Sequence, residues 1–295
     1  MKKPVFTGAG VAIITPMLPD GSVNYEELGR ILEDQIARHT DAIIICGTTG
    51  ESATLTHEEH IECIRYTVRK VAGRIPVVAG TGSNDTAFAI NLSRQAEEAG
   101  ADALLLVTPY YNKTTQAGLI AHYTAIANSV SLPCILYNVP SPTGMNMTPE
   151  THAEISKLPN IKADKEASSD IVQIAEIAEL CGDNLNIYSG NDNQIVPILS
   201  LGGKGVISVL SNVAPEMAHD ICALWFDGKH EESLALQLQV MGLVRALFKE
   251  SNPIPVKWAM NRLGWKAGGV RLPLIEASPA VQQMLETEMK RNGLL

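Results

Sequence analysis

Short apolar runs alternate along the chain with longer segments whose apolar residues recur every three or four positions. The first pattern, rich in β-branched residues, predicts strands buried on both faces, and the second predicts amphipathic helices. Strands are expected at 8–16, 41–46, 76–80, 103–107, 133–137, within 160–168, and at 186–189 and 205–209. Helical spacing covers 25–39, 57–71, the segment ending at Gly100, 116–129, a stretch from Pro149, one from Asp170, and 192–201. Beyond Pro215 only helical patterns follow. Eight strands, each followed by a helix, fit a closed α/β barrel of the (β/α)8 or TIM type better than an open sheet. A doubly wound sheet would need a GxGxxG turn, and none opens a helix here. The expected division is a barrel over 1–225 and a C-terminal helical extension over 226–295.

The sixth strand carries the most informative residues. Side chains alternate along a strand, so Ile161, Ala163 and Lys165 are expected to face inward. Lys162 and Asp164 would share the outer face, where they could pair. Lys165 then stands at the C-terminal mouth, where barrel enzymes place their chemistry. An amine in an apolar mouth loses charge stabilisation and can attack a carbonyl, whereas a strand-end lysine can also snorkel to solvent. The other strand ends supply Thr48, Thr49, Tyr110, Tyr111, Tyr137, Asn138, Gly190 and Ile207. A lysine ringed by hydroxyls suits imine formation with proton relay. Each residue has a plainer alternative: Thr48 and Thr49 as helix caps, Tyr137 as a core edge, Tyr110 and Tyr111 as interface packing.

Composition narrows the classes. The net charge is −9 without a basic block, which argues against nucleic acid and anionic membranes. The 5 cysteines are scattered without metal spacing, as expected of reduced thiols in the cytoplasm. Met1-Lys2-Lys3 is not followed by an apolar signal core, and no apolar run is long enough to span a bilayer. No His/Asp/Glu spacing suggests a metal site, and no phosphate cradle opens a helix.

Five stretches bear a specific resemblance: Gly47-Thr-Thr-Gly-Glu51, Thr108-Pro-Tyr-Tyr-Asn112, Tyr137-Asn-Val-Pro140, Lys165-Glu-Ala-Ser168 and Asn252-Pro-Ile-Pro-Val-Lys257. Arg271-Leu-Pro273 adds to them. In order and spacing the whole chain resembles the dihydrodipicolinate synthase / N-acetylneuraminate lyase superfamily, and most closely its synthase branch. The resemblance implies Schiff-base condensation of pyruvate with L-aspartate 4-semialdehyde in lysine biosynthesis, without a cofactor. It makes Lys165 the imine-forming lysine, Tyr137 its proton relay, and Thr48 the link to Tyr111, donated across a dimer interface. Thr49 and Ile207 would contact pyruvate. A homotetramer built from two dimers is the expected assembly. Ser52, Ala53, His57, His60, Asn84 and Tyr110 match positions of a lysine feedback site, although His57 and His60 also read as a pair on a solvated helix face.

This chain departs from the family's pattern at three places. Pro142 stands where an arginine is expected to hold the second substrate's carboxylate, which leaves another pyruvate-dependent aldolase, or a non-catalytic homologue, as alternatives. Phe88 replaces a glutamate of the feedback site, so tight lysine inhibition is not expected. Lys162 and Asp164 occupy normally apolar positions beside the lysine.

Overall fold

The computed structural model describes residues 2–295. The eight unbroken apolar runs become the eight parallel strands of a closed barrel, paired in sequence order with the eighth returning to the first. They are β1 (Gly8–Ala12), β2 (Ala42–Ile45), β3 (Val77–Gly80), β4 (Ala103–Val107), β5 (Cys134–Asn138), β6 (Ile161–Glu166), β7 (Asn186–Ser189) and β8 (Gly205–Ser208). Closure between β1 and β8 depends on glycine. A Cβ on Gly205, whose φ is +146°, would lie 1.8 Å from the Gly8 carbonyl oxygen. β1 is shorter than expected because its backbone finds other partners after Ala12. Ile14 N–H donates to Asn212 Oδ1, and the Thr15 carbonyl accepts from Lys257 Nζ.

The helices are α1 (Tyr25–Ala37), α2 (His57–Val71), α3 (Thr86–Glu98), α4 (Gln116–Ala127), α5 (Pro140–Thr143), α6 (Pro149–Ile155), α7 (Ile171–Cys181), α8 (Ile195–Ser200), α9 (Pro215–Phe226), α10 (His230–Leu247), α11 (Ile254–Arg262) and α12 (Pro279–Arg291). The short α5, carrying Pro142, has no counterpart among the expected elements. The expected helix over 192–201 divides into a 3₁₀ turn, Asp192–Gln194, and α8. The main core lies between strands and helices, and a smaller one fills the barrel interior. Phe6 and Tyr188 belong to the inner core and stack with ring centroids 4.4 Å apart. The Tyr188 hydroxyl donates to the Phe6 carbonyl at 2.6 Å, fixing this aromatic floor at the end opposite the mouth.

β6 departs from simple alternation. Opposite β5 the register jumps from Cys134↔Ile161 to Ile135↔Ala163, leaving Lys162 as the extra residue of a bulge. Ile161 therefore turns to the outer core while Ala163 keeps its inward place, so the two do not share a face. The expected Lys162–Asp164 pair does not form either. Asp164 is fully buried and faces His152 Nε2 of α6 at 3.5 Å, while Lys162 is only half-buried.

Candidate active site

The inward face of β6 ends at Lys165, which is 5% exposed. The β5–β6 register sets Tyr137 beside it, and Lys165 Nζ lies 4.0 Å from the Tyr137 ring centroid. Such a contact draws an ammonium toward the ring face and fixes the direction from which its lone pair, once bared, can attack. Space for the lysine stem depends on Gly190. A Cβ there would come within 2.7 Å of Ala167 Cβ and 3.2 Å of Lys165 Cγ. The lysine thus sits in an apolar neck rather than snorkelling to solvent.

Above it opens a cleft of about 870 Å³, lined by Lys165, Tyr137, Thr48 and Thr49, and also by Pro142, Lys249 and Asn252. Lys165 and Lys249 are the only basic side chains of the lining among the described residues. Thr48 and Thr49 are not helix caps. They lie in a separate 3₁₀ turn, Thr48–Gly50, whose preceding residue makes no side-chain cap. α2 is capped instead by Thr56 in a reciprocal capping box with Glu59. Thr49 is buried and its Oγ1 accepts a hydrogen bond from Asn252 Nδ2 at 2.8 Å.

That bond is one of several by which the C-terminal segment fixes the rim. Glu51, in the left-handed region at φ 55°, accepts from Lys257 Nζ at 2.8 Å and from Arg271 N–H at 2.9 Å. Lys257 also donates to the Thr15 carbonyl at 3.0 Å. Burial holds the Lys257 amine below its ordinary value, opposed by the Glu51 charge. Arg271 forks onto both Glu59 oxygens at 2.6 and 2.7 Å. Asp192, buried below the mouth, accepts the Val209 and Leu210 amides at 3.0 and 2.9 Å and orders the turn after β8. Burial raises its carboxyl; the Ser208 hydroxyl, these amides and the Lys165 charge oppose that without cancelling it. Sequence reasoning assigned no role to Glu51, Asp192, Asn252, Lys257 or Arg271. The signal available was that four of the five fall in the stretches carrying the family resemblance.

Ile207 is fully buried in the barrel interior, below the cleft lining rather than on it. Tyr111 lies outside the cleft of its own chain, 92% exposed and at φ 70°. Among the candidate feedback residues, Asn84 Nδ2 donates to the Tyr110 carbonyl at 3.1 Å, and Ser52 and Ala53 lie in a 3₁₀ turn near the surface. His57 bonds Gln95 at 3.1 Å and meets Phe88 edge-on at 5.7 Å. His60 does not lie on a solvated face. It is 7% exposed and bonds the Gly80 carbonyl at 2.7 Å. Burial lowers its pKa, so it stands neutral and inward.

The family profile described as "Dihydrodipicolinate synthetase family" matches residues 5–292. The chain belongs to this family. A 4-hydroxy-tetrahydrodipicolinate synthase of Lachnoclostridium phytofermentans is 57% identical over 292 residues, covering 99% of each chain. One of a Thermoanaerobacter species is 55% identical over 293 residues, covering 99% of this chain and 98% of that one. Among solved structures, the dihydrodipicolinate synthase of Thermotoga maritima superposes with a TM-score of 0.97 at 42% identity, covering 99% of this chain and 100% of that one. A monomeric dihydrodipicolinate synthase variant gives 0.96 at 42% identity, covering 99% and 98%. In the dihydrodipicolinate synthetase family frame, the cleft over Lys165 is the part of this barrel suited to covalent chemistry. No helix among the described residues is long and apolar enough to cross a membrane.

Proposed function

We propose that this enzyme is a 4-hydroxy-tetrahydrodipicolinate synthase, condensing pyruvate with L-aspartate 4-semialdehyde through an imine on Lys165. The observation that carries the reading is the buried Lys165 amine over the Tyr137 ring, at the bottom of a cleft rimmed by Thr48 and Thr49. The amine adds to the C2 ketone of pyruvate, and loss of water gives the imine. Its nitrogen takes up the electron pair when a methyl proton leaves, so the chemistry needs no cofactor. The resulting enamine carbon attacks the aldehyde, forming the C–C bond. The acceptor's amino group then displaces Lys165 from C2, closing the ring and freeing the lysine. Tyr137 and Thr48 are the hydroxyls proposed to carry protons, and Thr49 the contact to the pyruvate carboxylate. Ile207 would meet pyruvate only through backbone reaching up from below.

Tyr111 is proposed to complete the relay of a neighbouring copy, in a homotetramer built from dimers; its near-complete exposure supports that role. The cytoplasm is the proposed compartment. The candidate feedback residues are proposed to bind lysine weakly, since Phe88 offers an ammonium group no charge. With Pro142 contributing no charged group, Lys249 is the lining cation proposed to meet the acceptor's carboxylate.

Borohydride reduction in the presence of pyruvate, followed by peptide mass mapping, tests the imine. A pyruvate adduct confined to the Lys165 peptide is expected, and no adduct on folded protein would sink the reading. Lys165→Ala is expected to lower turnover by at least about 10³-fold. Lys249→Ala is expected to raise KM for the semialdehyde about tenfold while leaving that for pyruvate unchanged; an equal change in both would remove Lys249 from acceptor binding.

A further inference from the structure

On the outer face of β6, directly behind Lys165, three side chains converge that the proposed reaction does not use: His152 of α6, Asp164 and Glu166. All three are fully buried. His152 Nε2 stands 3.5 Å from Asp164 Oδ2 and 4.0 Å from Glu166 Oε2, and the candidate donor atoms all lie within 4.8 Å of one another. The His152–Asp164 separation is beyond the usual hydrogen-bond range, though near enough for Asp164 to favour a proton on His152, and the Glu166 separation is too long for a hydrogen bond.

The hydrogen bonds around the cluster show which atoms remain free. His152 Nδ1 lies 3.0 Å from the Thr148 carbonyl, which can only accept, so Nδ1 carries a proton. In neutral histidine Nε2 is then a bare lone pair, and it is aimed at two carboxylates. Glu166 Oε1 takes the Ser168 amide at 2.6 Å and Oε2 takes Asn138 Nδ2 at 3.0 Å. Neither Asp164 oxygen, nor His152 Nε2, has a hydrogen-bond partner among the described residues. An anion buried without a donor is among the costlier arrangements a protein can hold.

We propose that His152, Asp164 and Glu166 form a structural site for a divalent transition-metal ion of the zinc type, which takes nitrogen and oxygen ligands. The ligand chemistry fits: one imidazole with its other ring N–H held by a carbonyl, and two carboxylates, one of them oriented by Asn138. The charges fit as well, since a divalent cation balances two carboxylates around a neutral imidazole. The His152–Asp164 spacing fits, because ligands about 2.0–2.2 Å from a tetrahedral ion lie about 3.3–3.6 Å apart, and Glu166, 4.0 Å from His152, would have to draw in by about half an ångström. Such an ion would pin α6 to β6 on either side of Lys165, holding the lysine's strand from behind. The rival occupant is protons alone. Burial first, and the Asp164 charge second, push the Glu166 carboxyl up to about 7. Burial pulls His152 down, but the two carboxylates outweigh it and leave its pKa raised.

The test is to unfold the chain in urea with a chelator, refold it with or without zinc chloride, remove free ion, and measure bound metal and Tm. Wild type refolded with zinc is expected to retain about one ion per chain and to melt several degrees above the zinc-free sample. The variant His152→Leu/Asp164→Val, which replaces both groups by apolar ones, should retain none and melt at one temperature in both conditions. Equal zinc in wild type and variant, or none in wild type, overturns the proposal and leaves the cluster to protons. X-ray absorption on zinc-loaded wild type reads the site even if the variant fails to fold. A nitrogen/oxygen shell including one imidazole supports the assignment, and a sulfur ligand, for which Cys181 is near Asp164, overturns it. None of these readouts involves turnover, so they stand apart from the proposed reaction.

Discussion

Two buried groups of charge flank the proposed catalytic lysine, and the barrel treats them in opposite ways. At the rim, Glu51 is met by Lys257 and by the Arg271 amide, and Lys257 also donates to the Thr15 carbonyl. Behind β6, Asp164 faces His152 Nε2 at 3.5 Å and a second carboxylate, and neither of its oxygens has a hydrogen-bond partner among the described residues. The first arrangement is closed, since each charge has a counter-charge and oriented hydrogen bonds. It works as a clasp between barrel and extension. The second has acceptors in excess and waits on a cation. Burial alone therefore says little about what an ionic cluster does; the count of donors against acceptors separates a fastener from a receptor.

The largest effect that would break this contrast comes from the clasp. Lys257→Met leaves Glu51 buried without its cation and should cost about 3–5 kcal/mol in urea unfolding. A loss below about 1 kcal/mol, the level of a surface pair, would mean that the clasp is no tighter than one. The open cluster should respond with the opposite sign. In chelator-treated protein, His152→Leu/Asp164→Val is expected to stabilise by about 1 kcal/mol or more, because an unpaired anion gives way to apolar packing. Destabilisation there would show that the cluster is already well satisfied in the metal-free state. The smallest effect concerns the edge of the clasp and sharpens it through pH. Hydrogen bonds from Arg271 hold the Glu59 carboxyl below its ordinary 4.5. A depressed carboxyl contributes stability that is full above 4.5 and fades as pH falls toward its folded value. The urea midpoint should decline over that acid range in wild type and decline less in Arg271→Ala.

The barrel was largely legible because its strands are covered on both faces, which writes them as unbroken apolar runs between helical spacings. Lys165, Tyr137, Thr48 and Thr49 were legible as strand-end residues, and the fold does gather them at one cleft. The bulge at Lys162 was not, since nothing local distinguishes an extra residue from its neighbours, and one unforeseen insertion turned Ile161 to the other face. His60 was misplaced because helical spacing gives a face but not what covers it; the covering backbone here is Gly80. The clasp and the open cluster escaped for another reason. Lys257 and Glu51 lie 206 residues apart, and only a closed barrel brings them together. His152 and Asp164 join a helix to a strand, so neither element's periodicity hints at the other.

The stacked Phe6–Tyr188 floor gives the reaction chamber a single door. Whatever reaches Lys165 must come down from the mouth, and whatever leaves must climb back the same way. A keto acid seated on the lysine occupies the blind end, and an acceptor arriving behind it bars its retreat. Order of entry is thus imposed by architecture before any affinity is considered, and an acceptor that enters an empty chamber becomes an obstruction rather than a substrate.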